Sequence, residues 1–240
     1  MRILGIESSS LVASVAVVTD DTVTAEYTVN FKKTHSQTLL PMLDEVAKMI
    51  ELDLDTIDAI AVSGGPGSFT GLRIGSATGK GLGLALKKPL IHVPTVDGLA
   101  YNMWGYAGLV CPIMDARRGQ VYTGIYRMKD GMEILKEQCP MDMKELAAQL
   151  NEMGERVVFL GDGVPVNKQA IQETMTVPFE FAPAHMNRQR AGAIAALGAI
   201  YYSQGKVETA AEHKPDYLRK SQAERERSNQ LLKGDKGMEG

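Results

Sequence analysis

RILGIESSSLVASVAVVTDDTVTAEYTV, residues 2–29, decides the fold. It holds three runs rich in Val, Ile and Thr, at 2–7, 12–18 and 22–29, separated by Ser8-Ser9-Ser10 and by Asp20-Asp21. Short β-branched runs broken by Ser and Asp read as strands joined by turns, so the stretch predicts a three-stranded antiparallel meander. From Leu39 onward the apolar residues Leu39, Leu43, Val46 and Ile50, with Leu40 and Ala47 beside them, keep helical spacing. Pro41 has no amide proton, so it belongs in the first turn of that helix or kinks it. Residues 57–62, IDAIAV, form a nearly continuous apolar run suited to a strand buried on both faces. A Gly-rich loop follows, then a long segment to about Leu86 and a further strand at 90–93.

The second half repeats this grammar more loosely. Residues 109–114, 120–127 and 132–138 read as a second meander, 142–153 as a helix that Asp142 is able to cap, and 157–161 as a buried strand. Helices at about 167–174 and 188–203 complete it. Three strands, helix, strand and helix, twice over, predict an internally duplicated α/β protein with a cleft between its halves. The halves are placed at residues 1–103 and 104–219. Residues 220–240 are charged, contain Gly and offer little to bury, so they are expected to be a disordered tail.

Composition narrows the function classes. The 240 residues are 44% hydrophobic and 23% charged, ordinary for a globular protein with a proper core. A net charge of -3 gives no general attraction to phosphate, which argues against a chain that grips RNA alone over a wide surface. Cys111 and Cys139 are far apart with no CxxC spacing, so neither a zinc knuckle nor a disulfide framework is suggested and a reducing cytoplasm fits best. The N-terminus enters a strand directly, and no run approaches the ~20 apolar residues of a membrane span. The expectation is a cytoplasmic protein with no membrane attachment.

The most informative chemistry lies at 63–80, SGGPGSFTGLRIGSATGK. Gly64, Gly65, Pro66 and Gly67 follow a strand, and Ser68 or Thr70 is placed to cap the helix behind, an arrangement that bares backbone N–H groups to an anion. The spacing is neither a Walker A sequence nor GxGxxG, so a tight structural turn and a phosphate cradle both stand. In the helix, Gly71, Gly75, Gly79 and Gly83 recur every fourth residue and share nearly one face. Each interior Gly costs about 1 kcal/mol relative to Ala, so packing must compensate. That packing is either against a helix of the same chain or against a helix of another chain.

Six segments then resemble, in order, the TsaB (YeaZ) family. They are LGIESS at 4–9 with SVA at 14–16, His35-Ser36 with Leu39-Leu40-Pro41, IDAIAV at 57–62, GPGSFTGLRIG at 65–75, MDARRGQVY at 114–122 and PDYLR at 215–219. The resemblance implies a duplicated actin, sugar-kinase and Hsp70 ATPase-like (ASKHA) fold related to TsaD. It further implies a non-catalytic subunit that pairs with TsaD as dimerisation partner and scaffold and helps dock the ATPase TsaE. The complex transfers threonylcarbamoyl from its adenylate to adenosine 37 of tRNAs reading codons that begin with A. A homodimer is expected when TsaD is absent, and tRNA is reached only through the complex. The interface implied is the pair of helices of the first half, with Leu39, Leu43, Val46, Ile50, Gly71, Arg73, Gly75, Gly79 and Gly83.

Departures from TsaD bear on the enzymatic question. TsaD carries two metal-binding histidines spaced HxxxH after a strand, and the aligned stretch here, VPTVDGL at 93–99, places Thr95 and Leu99 at those positions. Neither replaces an imidazole. His35, His92, His185 and His213 are scattered, and each is expected to be a surface or structural residue, so no metal ligand is named. Glu7 and Asp115 lie where ATPase-like folds place acids around magnesium-bound phosphate. With Ser9, Gly65 and Gly67 they make a nucleotide site by analogy, a remnant at least as readily as a working one. The isolated subunit is expected to hold no cofactor beyond weak nucleotide binding. Arg117 and Arg118 suit a carboxylate or phosphate, or an interdomain ion pair, and Tyr217-Leu218-Arg219 suits docking of the chain's end. The alternative class is an independent ATP-binding ASKHA-type enzyme. A metallopeptidase is disfavoured because no HExxH occurs.

Overall fold

The computed structural model describes residues 1–31, 34–117 and 119–218. Arg118, Arg219 and the tail at 220–240, each given a role or state above, lie outside the described residues. The opening stretch forms β1 (Arg2–Glu7), β2 (Val12–Thr19) and β3 (Thr22–Asn30), antiparallel in sequence order with Arg2 opposite Thr19 and Glu7 opposite Ser14. After α1 (His35–Met49), the apolar run becomes β4 (Ala59–Gly65), buried throughout and parallel to β1. Pro41 sits inside α1 beyond its first turn. Then come α2 (Phe69–Leu86), β5 (Leu90–Pro94) parallel to β4, and a short α3 (Thr95–Tyr101). Ser68 caps α2 by accepting the Gly71 N–H at 3.3 Å.

The second half builds β6 (Leu109–Asp115), β7 (Gln120–Arg127) and β8 (Glu133–Asp142), then α4 (Met143–Met153) and β9 (Val157–Leu160). It closes with α5 (Gly163–Thr174), β10 (Phe179–Phe181) and α6 (Ala191–Ser203). Asp142 caps α4 as its sequence position predicts, accepting the Lys144 N–H at 2.8 Å. The sheet orders are β3-β2-β1-β4-β5 and β8-β7-β6-β9-β10, strand for strand the same. The internally duplicated α/β architecture expected from the sequence is therefore what the chain adopts.

Each sheet alternates its side chains between two covers. On the first, Leu4, Ile6, Val15 and Val17 face α1 and α2, while Ile3, Val18, Ala59 and Ala61 face Ile194 and Leu197 of α6. On the second, Leu109, Cys111, Ile113 and Phe159 face α4 and α5, while Val110, Met114 and Tyr126 face Val96, Leu99 and Ala100 of α3. The last helix of each half thus reaches across the midline. Docking of α6 is specified by polar contacts as well. The Ala191 N–H donates to Ser14 Oγ at 3.0 Å, the Gly192 N–H donates to Glu26 at 3.0 Å, and Arg190 pairs with the same carboxylate. Beyond α6 the chain returns to the first half, where Glu208 and Leu90 exchange backbone hydrogen bonds.

Candidate functional site

The ends of β1, β4, β6 and β9 converge on the cleft, because parallel strands with crossover helices leave a crevice at their carboxyl ends. Glu7 closes β1 and is fully buried. Its Oε1 accepts both the Ser9 N–H at 2.6 Å and the Ser9 hydroxyl at 2.5 Å, while Oε2 has no hydrogen-bond partner among the described residues. Burial pushes the Glu7 carboxyl up to about 7, against the pull of Ser9 and Ser63 and with the push of Asp162. Asp162, between β9 and α5, is itself raised, by burial first, and its Oδ1 is also unpartnered among the described residues. The push of Asp162 adds to burial in disfavouring the charged form of Glu7. Asp115 ends β6 and is exposed, with Oδ1 accepting the Arg117 N–H at 2.7 Å.

Ser9, Gly65 and Gly67 meet at this corner, but in a way that answers the question of the Gly-rich loop. The Gly65 N–H donates to Thr95 Oγ1 at 3.1 Å, and the Ser68 N–H donates to the Ser9 carbonyl at 2.6 Å. Gln138 donates to the Gly65 carbonyl at 3.1 Å, and the Asp216 N–H donates to the Gly64 carbonyl at 2.6 Å. A Cβ on Gly67 would stand 2.2 Å from the Ser9 carbonyl oxygen. The Gly65 and Ser68 amides are spent within the chain itself, which favours a tight structural turn over a phosphate cradle.

The helix residues expected at an interface are placed differently from the expectation. Leu39, Leu43 and Val46 are buried in the core beneath α1, and Ile50 packs against the same cluster. The glycine row faces the sheet: a Cβ on Gly71 or Gly75 would strike Ser8, one on Gly79 would lie 2.6 Å from Val62, and one on Gly83 would lie 2.4 Å from Leu90. The close approach that the glycines permit is to this chain's own β1, β4 and β5. Only Gly71 also approaches a neighbouring helix of the same chain, where an added Cβ would lie 3.2 Å from the His35 ring of α1. Spacing alone does not tell which way a stripe points. Arg73 alone of the set is exposed, its guanidinium 4.1 Å over the Phe69 ring. The outer face of α2 carries Ala77, Gly81 and Leu84, the last 68% exposed, beside it, and α1 exposes Leu40 at 55% and Met49 at 83% on its two flanks.

Other candidates resolve individually. Thr95 is the acceptor just described, and Leu99 is core beneath the second sheet. Arg117 takes a left-handed turn position with φ of 64° and forms no ion pair among the described residues; Arg190 with Glu26 makes the contact between halves instead. Tyr217 stacks its ring 4.7 Å from that of Phe69, which docks the chain's end as expected. Asp162 escaped the sequence reading, because no motif or spacing around it singles it out. His92 and His213, taken as unrelated in sequence, bring their ring centroids to 5.8 Å.

With this geometry in place, the relatives are informative. The family model for TsaD, tRNA N6-adenosine threonylcarbamoyltransferase, matches residues 22–227. The Bacillus subtilis tRNA threonylcarbamoyladenosine biosynthesis protein TsaB is 35% identical over 93% of this chain and 96% of its own length. Its Escherichia coli counterpart is 38% identical over 53% of this chain and 55% of its own length. The solved structure of YeaZ from Pseudomonas aeruginosa superposes with a TM-score of 0.77 at 25% identity, covering 90% of this chain and 99% of that one. No helix among the described residues is long and apolar enough to cross a membrane.

Proposed function

Because the chain belongs to the TsaB (YeaZ) family of tRNA threonylcarbamoyladenosine biosynthesis proteins, we propose that it is the non-catalytic partner of TsaD in threonylcarbamoyl transfer to tRNA. The observation that carries this reading is the β5–α3 junction. Where TsaD has its two histidines, Thr95 spends its hydroxyl on the Gly65 N–H and Leu99 fills the core. No metal-centred catalyst is built from a satisfied hydroxyl and an aliphatic side chain. The cleft carries two buried acids without a phosphate cradle, which also disfavours an independent ATP-dependent enzyme. With its net charge of -3, the chain reaches tRNA through the complex and not alone.

The surface for TsaD, or for a second copy, is the outer face of α1 and α2, with Leu40, Met49, Arg73 and Leu84 as its exposed side chains. Large exposed apolar side chains on adjacent helices mark an interface, and one patch serving both partners makes homodimer and heterodimer mutually exclusive. TsaE then docks on the pair. The test is reconstitution with TsaD, TsaE, ATP, threonylcarbamoyl-adenylate and tRNA, followed by nucleoside analysis. Modified adenosine is expected only when this chain and TsaD are both present, and Leu84→Glu is expected to abolish both co-elution with TsaD and product. Full modification without the chain, or multiple-turnover ATP hydrolysis by the chain alone, would overturn the proposal.

A further inference from the structure

The segment after α6 returns to the first half and brings two imidazoles and two carboxylates together, away from the cleft acids. His92 of β5 meets His213 and Glu208, one ligand atom from each lying within 4.8 Å of the others. Asp216, outside that group of three, places a carboxylate oxygen 3.2 Å from His92 Nε2. Nε2 of His213 is buried without a hydrogen-bond partner among the described residues and its side chain has no solvent exposure, while His92 Nε2 is buried with only that carboxylate beside it. A buried ring nitrogen left unpaired is costly, and a bound cation removes that cost. Gly64 leaves room for the cluster, since a Cβ there would overlap the His92 ring.

We propose that His92, Glu208, His213 and Asp216 bind one divalent ion of the zinc class. Two imidazoles with two carboxylates form a four-donor set suited to tetrahedral Zn²⁺, whose ligand atoms stand about 3.3 Å apart when each is about 2.0 Å from the metal. The 3.2 Å between His92 and Asp216 already matches that edge. The 2.6 Å contact between His213 Nδ1 and Glu208 Oε1 either opens to the same span or stays as the bond that orients a ring coordinating through Nε2. Lys80, which donates to the His213 carbonyl at 3.1 Å, is an opposing charge that the two carboxylates must outweigh. Four donors close the site, so its role is structural. The ion staples residues 208–216 to β5, and through the Asp216 backbone to the end of β4.

The experiment uses the full chain without a polyhistidine tag, stripped with chelator and titrated with Zn²⁺ against a chromophoric competitor, then with Co²⁺. One saturable equivalent, a visible Co²⁺ spectrum of tetrahedral intensity and a melting temperature raised by Zn²⁺ and lowered again by chelator are expected. His92→Gln and Glu208→Gln each weaken binding at least tenfold, whereas His35→Gln does not. His213 is too buried for a clean substitution, so Asp216→Asn, at a half-exposed position, supplies the third test. No saturable equivalent, or binding unchanged in His92→Gln and Glu208→Gln, overturns the site.

Discussion

Glu7 and Asp115 stand at equivalent ends of the central strands of the two sheets, and each carboxylate accepts the amide two residues ahead, at 2.6 Å and 2.7 Å. There the likeness stops: Glu7 is sealed and titrates near neutrality, while Asp115 is open to solvent. The difference follows from the helices behind them. In α2 the row facing the sheet is Gly71, Gly75, Gly79 and Gly83, so the helix lies close on β1 and β4 and presses the loop onto Ser8 and Ser9. In α5 the inward row is Gly163, Asn167 and Ile171, and from its second turn side chains fill the space that glycines leave bare in α2. Duplication conserved the backbone plan, while the contact between the second strand-following helix and its sheet differs, bare of side chains behind Glu7 and filled by Asn167 and Ile171 behind Asp115.

Refilling that space is the severest way to break the comparison. Gly75→Leu would drive a side chain into Ser8, whose Oγ already lies 2.2 Å from an added Cβ. Overpacking typically costs about 1–3 kcal/mol, and backbone crowding places this case at about 3 kcal/mol or more. A melting temperature lowered by many degrees, with any loss of dimer secondary to unfolding, is expected. A folded variant of unchanged stability that fails only to associate would return the glycine row to a partner interface.

The buried acid itself gives the next effect. Glu7 is raised in the folded chain to about 7 from an ordinary value of 4.5, so its proton is held more tightly folded than unfolded. Its contribution to stability is therefore fully present below about pH 4.5 and is lost as pH rises through 7, by about 3 kcal/mol at the upper bound. Denaturant unfolding from pH 5 to 8 is expected to show that fall. Glu7→Gln, neutral at every pH, should flatten it, and Asp115→Asn should leave it. An identical slope in Glu7→Gln would mean that the acid is hydrated in solution.

Much of this was readable before the fold was known. Both meanders, both buried parallel strands and the caps Ser68 and Asp142 follow from β-branched runs, turn residues and short-range hydrogen bonding, which are local physics. What was not readable is non-local. Thr95–Tyr101 is a single short helix inside an apolar run, and Phe179–Phe181 is a strand of three residues, both too brief for a period to show. The direction of the glycine row depends on which face the sheet takes. Asp162 becomes visible only through its burial after β9, and His92 meets His213 only because the segment after α6 crosses back.

The crossing of α6 separates the halves more gently. Burial raises the Glu26 carboxyl, but Arg190 and the Gly192 N–H outweigh it and hold it below its usual range. Arg190→Ala removes one partner and leaves Glu26 on the Gly192 N–H. Because Arg190 is partly exposed, the expected loss is modest, about 1–2 kcal/mol, read as a lower denaturation midpoint with the cleft unchanged. A loss no larger than that of a surface substitution would show that apolar packing alone seats α6.

The smallest effect has the opposite sign and tests the two faces of α2 against each other. Gly81 lies two residues after Gly79, yet an added Cβ there meets nothing within 4 Å, because it points outward. Gly81→Ala therefore gains helix propensity and loses unfolded-chain freedom without a clash, a stabilisation of up to ~1 kcal/mol. A melting temperature raised by a few degrees is expected in the isolated chain. The same methyl group sits in the proposed TsaD surface beside Ala77 and Leu84, so the cost there depends on how closely a partner approaches. Weaker co-elution with TsaD, alongside the higher melting temperature, would place a partner's backbone against Gly81. Unchanged association would confine the contact to the larger side chains around it, Leu40, Met49, Arg73 and Leu84.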